Sequence, residues 1–152
     1  MNKLSSIKDI LSGLEKTLYG INYECHFLFE HIQDSIEILS ARNKINSTYK
    51  LVWQNEQPII PVTYKDFKID VNEKLNFRGD KHSGVNLSYN QEQQFQKEIG
   101  NLWTLIEKKF HPYSTTIYIH PEINYPVFWG FCFLIISTEE NSIYLFEGLS
   151  SD

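Results

Sequence analysis

The residues of this chain with chemical potential are five histidines, two cysteines and a glycine-flanked basic loop, and their spacing argues against most of the chemistry they suggest. His26, His31, His82, His111 and His120 can each act as a base or a metal ligand. A helical zinc site places two histidines at i and i+4, whereas His26 and His31 stand five apart and fall on different faces of a helix. His111 and His120 flank one strand-like run and can converge as an acid–base pair, the arrangement a small hydrolase or nuclease would use. A triad of Ser83, His120 and a glutamate belongs to the same class, and the spacing prefers neither. Cys25 and Cys132 form no CxxC pair, which gives neither a disulfide framework nor a zinc signature. The stretch Gly79-Asp80-Lys81-His82-Ser83-Gly84 lacks phosphate-loop spacing and leads into loop, not helix. No metal and no cofactor is expected. Two alternatives stay open beside a protein-binding role: an enzyme built on His111 or His120, and a ligand-binding domain whose pocket is lined by Trp53, Trp103 and Trp129.

The elements that must position these residues are readable from periodicity. Leu4, Ile7, Ile10, Leu11, Leu14 and Leu18 recur at helical spacing, with Ser6 and Asp9 as an acidic capping box, and predict a helix over 5–19 that stops at Gly20. Residues 23–42 carry two patterns. Cys25, Leu28, Phe29, Ile32, Ile36 and Leu39 make a helical stripe, while Ile21, Tyr23, Cys25, Phe27 and Phe29 alternate as in a strand. The helical register runs longer and is the reading adopted. Tyr49, Leu51 and Trp53 suggest a short strand, as do Phe67, Ile69 and Val71. Residues 72–90 hold few large apolar side chains and read as a long exposed loop, a candidate contact surface, in which Arg78-Gly79-Asp80 is a turn. Phe95, Ile99, Leu102, Ile106 and Phe110 predict a helix over 91–110, capped by Asn90 and ended by His111-Pro112. Three β-rich runs follow, 115–120, 127–137 and 142–146, joined by 121–126 and by Thr138-Glu139-Glu140-Asn141. The fold class is α+β: an antiparallel sheet of three to five strands packed against two or three helices, in one domain spanning 1–152.

At 152 residues the chain is long enough to bury a core without staples. Its 41% hydrophobic and 22% charged content is that of a globular domain. Lys8 and Asp9 interrupt the first apolar stretch, which argues against a signal peptide and predicts a cytoplasmic protein. The 127–136 run is too short to cross a membrane.

The charge distribution is more informative than the net value of −5. Residues 1–110 hold 14 basic and 14 acidic side chains, whereas 111–152 hold no Lys or Arg and five acids: Glu122, Glu139, Glu140, Glu147 and Asp152. A sheet whose turns are purely acidic presents a negative field that steers a basic protein partner and repels nucleic acid. These five carboxylates, with Tyr125 on the preceding turn, are the expected partner-binding residues.

The run Phe128-Trp129-Gly130-Phe131-Cys132-Phe133-Leu134-Ile135-Ile136, an acidic turn, and then Ile143-Tyr144-Leu145-Phe146-Glu147-Gly148-Leu149-Ser150-Ser151-Asp152 resembles the endings of bacterial immunity proteins from polymorphic toxin and contact-dependent growth inhibition systems. The resemblance covers the last third of the chain and implies a cytoplasmic, non-enzymatic antitoxin. Such a protein covers the active site of a cognate toxin protein, often a nuclease, and no contact residue transfers from the family to this sequence.

Overall fold

The computed structural model describes residues 2–49, 59–80, 82–119 and 128–151. Among these residues lie four α-helices and five strands: α1 (Lys3–Thr17), β1 (Glu24–Gln33), α2 (Ile38–Tyr49), β2 (Ile60–Val62), α3 (Tyr64–Leu75), α4 (Tyr89–Lys109), β3 (Thr115–Ile119), β4 (Gly130–Ser137) and β5 (Ser142–Ser151). The strands form one sheet in the order β1-β5-β4-β3-β2, antiparallel at every pairing. The α+β class expected from the sequence is the fold observed.

Both faces of the sheet are covered. Phe131, Phe133 and Ile135 of β4, with Tyr144 and Phe146 of β5, meet α1, α3 and α4 in the larger core. Cys132, Leu134, Ile136, Ile143 and Leu145 point the other way and pack with Ala41 and Ile45 of α2. Burial on both faces explains why β4 and β5 read as unbroken apolar runs and not as alternating ones.

Two assignments made from the sequence are corrected. Residues 24–33 are a strand, not the start of a helix, so the alternation of Tyr23, Cys25, Phe27 and Phe29 is the pattern that holds. Leu28 and Ile32 supplied the rival helical stripe because they pack on the second covered face, and a register shift between His31 and Gln33 breaks the period there. Helix begins only at Ile38, leaving Ile36 and Leu39 exposed. Conversely, the residues read as a strand at 67–71 lie in α3, whose buried side chains Phe67, Val71 and Leu75 are four apart. Ile69, which completed the false alternation, is exposed. Tyr49 ends α2, and Leu51 and Trp53 lie outside the described residues.

Capping also differs in detail. Asn2, not a Ser6–Asp9 box, accepts from Ser5 N at the start of α1. Helix α4 opens with Ser88 and Gln91 in a reciprocal capping box, not with Asn90.

The expected loop shortens to 76–88 because α3 runs to Leu75. It is tightly folded. Asn22 N donates to Ser83 O (2.8 Å), Gly84 N to Asp80 O and Val85 N to Arg78 O (each 2.7 Å). Gly79 takes φ +79° under the Tyr23 ring, as the anticipated turn requires. A Cβ on Gly84 would collide with the backbone carbonyls of Arg78 and Asp80, which cannot swing aside as a side chain could. Gly84→Ala should therefore cost about 1–3 kcal/mol in chemical denaturation, as overpacking does. Gly13→Ala, in an exposed turn of α1 with nothing within 4 Å of its Cβ, should stabilise by about 0.5–1 kcal/mol. Equal effects at the two sites would contradict this packing.

Candidate partner-binding edge

The β4–β5 hairpin places Glu139 and Glu140 at one end of the sheet, and Asn141 closes the turn with φ 51°. A one-turn 3-10 helix, Pro112–Ser114, braces it. Thr138 N and Oγ1 both donate to Ser114 O (2.8 and 3.1 Å), and Ser114 Oγ donates to Glu139 Oε2 (3.4 Å). From the other side comes the connection between β1 and α2. Asn141 Nδ2 donates to Asp34 O (3.3 Å) and Ser142 Oγ to Asp34 Oδ1 (3.4 Å). Pairing of the first strand with the last thus brings Asp34 and Glu37 to the same end as Glu139 and Glu140.

These carboxylates differ in how far they are neutralised. Glu140 meets Lys109 Nζ at 3.1 Å, and that lysine is largely buried, its ammonium 4.7 Å from the Tyr144 ring centroid. Burial works against the Lys109 charge, but hydrogen bonding to Tyr144 and Glu140 outweighs it and raises the pKa above the ordinary lysine value. Asp34 and Glu139 remain solvent-facing, with side chains 88% and 60% exposed. The basic side chains within 4 Å of them, among the described residues, are imidazoles: His31 at 2.9 Å from Asp34, and His111 at 3.9 Å from Glu139. Apolar side chains stand among the acids. Tyr113 is fully exposed on the bracing turn, and Ile36 and Leu39 are about half exposed beside Asp34.

The residues singled out from the sequence are therefore divided. Glu139 and Glu140 are together at the edge. Glu147 is not: it pairs with Cys132 and Leu28 in mid-sheet on the α2 side, is 8% exposed, and lies roughly 17 Å along β5 from the turn at about 3.3 Å per residue. Glu122, Tyr125, Asp152, His120 and Trp53 lie outside the described residues. Asp34 and Tyr113 escaped the sequence reading. An exposed tyrosine after a helix-ending proline was the available signal for Tyr113, whereas Asp34 has none short of knowing the β1–β5 pairing.

Sites for the other chemistries can also be located. His111 is exposed, and its 3.9 Å separation from Glu139 exceeds hydrogen-bond length. His26 and His31 lie on β1, where a spacing of five places side chains on opposite faces. Among the described residues no group of three His, Cys, Asp or Glu side chains stands close enough to share a metal ion. Cys25 is buried, and desolvation, reinforced by Glu15 and Glu24, pushes its thiol up to about 12, so it stays protonated at neutral pH. Trp103 and Trp129 are core residues whose indole N–H groups donate to Asn72 Oδ1 (2.7 Å) and Tyr23 OH (2.8 Å). No helix among the described residues is long and apolar enough to cross a membrane.

No protein-family model matches the chain, and no curated protein matches it in sequence. Its fold is similar to that of citrus MAF1, seen in two crystal forms. One, in space group C 2 2 21, superposes with TM-score 0.60 at 10% identity over 98% of this chain and 99% of that one. The other, in space group P 31 2 1, gives 0.59 at 8% identity over 100% and 98%. The likeness extends along the whole chain and is one of fold.

Proposed function

We propose that this protein is an immunity-type binding protein that neutralises a basic toxin domain by covering its active site, with the acidic end of the sheet as its contact surface. One observation carries the reading. Asp34, Glu37, Glu139 and Glu140, drawn from distant parts of the chain, lie at one end of the sheet, where the bracing turn also exposes Tyr113, and of these Asp34 and Glu139 face solvent. A tyrosine with exposed aliphatics supplies contact area of the kind that dominates protein interfaces. Solvent-facing carboxylates at the same end of the sheet speed encounter with a cationic surface and set its orientation. A nuclease active site, built to accept phosphates, offers such a surface. The resemblance of the carboxy-terminal third to immunity proteins points the same way, and an acidic antitoxin of this kind acts in the cytoplasm. The likeness to citrus MAF1 bears on the fold alone.

The test pairs co-expression with mutagenesis. Toxin domains encoded beside this gene are expressed with it, and survival and co-purification are scored. With the partner in hand, Asp34→Lys with Glu139→Lys should weaken association by at least about tenfold and flatten its salt dependence, because exposed charges act mainly through steering. Both side chains are solvent-facing, so thermal stability should hold. Tyr113→Ala should cost about 2 kcal/mol of binding, as an interface tyrosine anchor does. Failure to protect cells against any of these toxin domains, or full affinity in the double variant, would refute the assignment.

A further inference from the structure

The counter-charges at the acidic end of the sheet are of two kinds. Glu140 is paired with Lys109, a cation at any pH near neutral. Asp34 and Glu139, the solvent-facing pair, have imidazoles beside them instead: His31 Nε2 stands 2.9 Å from Asp34 Oδ1, and His111 Nε2 stands 3.9 Å from Glu139 Oε2. The two histidines come from separate elements. His31 lies near the end of β1, and His111 is the N-cap of the 3-10 turn that carries Tyr113. Both imidazoles reach solvent, so they can gain and lose protons without any movement of the core.

Imidazole is the side chain whose ordinary charge change falls between pH 5 and 8. The other charged groups around these histidines keep their charge through that window. Lys109 of α4 stays protonated despite burial, because Tyr144 and Glu140 bond to it. Tyr144 of β5, its ring 5.3 Å from that of His31, stays neutral because burial raises its pKa. Lys44 of α2, with Nζ 2.6 Å from Ile32 O, and Lys108 in the last turn of α4 are cations throughout, as lysines are. Asp34, Glu37, Glu139 and Glu140 belong to a class that protonates below about pH 5. Mild acidification therefore changes this end of the molecule, among the described residues, by the two imidazole charges. A positive charge that close to each carboxylate cancels most of its field beyond the pair.

We propose that His31 and His111 make the acidic edge a pH-gated docking surface, negative and able to hold a cationic protein while both imidazoles are neutral, and releasing it when both are protonated. Such gating rests on the binding role proposed above and assigns its regulation. The chain also carries a comparison pair of the same kind. His26 stands 3.7 Å from Glu24 toward the opposite end of β1. From His26 to Gln33 is roughly 23 Å at about 3.3 Å per residue, well beyond the Debye length of about 8 Å at physiological salt.

The first experiment needs no partner. A cationic and a neutral nitroxide are added in turn to the full-length protein, and relaxation of the exposed Ile36 methyl and Tyr113 ring protons is followed by NMR. In wild type the excess effect of the cationic probe should fall about twofold between roughly pH 7.5 and 5.5, as the local potential loses two charges. In His31→Gln with His111→Gln it should stay level, whereas His26→Gln should behave as wild type. Either single edge variant should keep about half of the fall, which tests the switch even where the double variant is unstable. The second experiment measures affinity for a cognate toxin domain over the same range. Wild type should weaken about fivefold more than the double variant, the worth of two exposed charge pairs, a difference that removes any titration of the partner itself. Equal probe contrast in wild type and the edge variants, or equal pH dependence of their affinities, would overturn the proposal. A histidine-dependent contrast with no toxin that binds would count against the function proposed above and leave the charge switch standing, so the two failures are told apart.

Discussion

Replacing Phe67 by alanine should remove about 3–5 kcal/mol of stability, the cost of emptying a buried aromatic site. Phe67 is the point at which α3 engages the rest of the molecule. It is 1% exposed, and its ring centroid lies 4.8 Å from Phe133 on the sheet, 5.5 Å from Trp103 on α4 and 6.2 Å from Phe146. All three contacts are edge-to-face, a geometry that adds to simple burial. The alanine methyl reaches none of them, and the cavity beside Phe67 leaves the neighbours no reason to close in. Because a domain of this size holds only about 5–15 kcal/mol in total, the variant should sit near its unfolding midpoint under mild denaturant. Equilibrium urea unfolding gives the reading: the midpoint should fall with the slope unchanged. Ile69→Ala on the exposed side of the same helix should shift it by about 0.5 kcal/mol or less. A loss below about 1 kcal/mol for Phe67→Ala would mean that α3 is not docked through this ring.

Phe67 also illustrates where sequence reasoning succeeded and failed. Helix α4 was legible because its apolar side chains repeat over five turns, with Lys108 and Lys109 closing it. Strand β4 was legible as an apolar run, and β5 only over 142–146, because it continues to Ser151 through Glu147, Gly148 and Ser150, which carry no apolar signal. The failures share a cause. In α3 one apolar residue lies off the buried face, and in β1 two lie on a second covered face, so two periods fit equally well over a few residues. Ile69 lent α3 a strand-like alternation, and Leu28 with Ile32 lent β1 a helical stripe, because α2 covers the far side of that strand. Only tertiary packing separates the two readings. The candidate site divides in the same way. Glu139 and Glu140 could be found by counting charge along the chain, since they are neighbours on one turn. Asp34 is 105 residues from Glu139, and only the pairing of β1 with β5 makes them members of one edge. Glu147 shows the converse, a residue counted among the acids that the two-residue strand period turns into a buried position.

Arg78→Met should destabilise the protein by about 2–3 kcal/mol at neutral pH and remove part of its acid sensitivity. The guanidinium holds the 76–88 loop to α4 through a two-pronged pair: Nε to Glu92 Oε1 and Nη2 to Glu92 Oε2, each 2.9 Å. Its Nη1 donates to Leu75 O at 2.7 Å at the end of α3, and the group lies 4.6 Å over the Phe95 ring. Methionine keeps the stem over Phe95 and loses every hydrogen bond. The magnitude stays below that of a fully buried pair because the side chains remain 22% and 35% exposed and water screens them. The hydrogen bonds from Arg78 hold the Glu92 pKa below its ordinary value of 4.5, against the opposing effect of burial. A carboxyl depressed in the folded state stabilises fully above its unfolded pKa, and that stabilisation fades as pH falls through the folded value. Wild type should therefore lose this contribution on acidification below about pH 4.5, while Arg78→Met, lacking it already, should be flatter there. Arg78→Lys keeps the charge without the planar fork and should fall between the two. Hydrogen exchange locates the effect: the amides of Gly84 and Val85, bonded to Asp80 and Arg78 carbonyls inside this loop, should exchange faster than those of β4. If those amides keep wild-type protection in Arg78→Met, the loop is held by its own turns and the Arg78–Glu92 pair is a surface contact of little consequence.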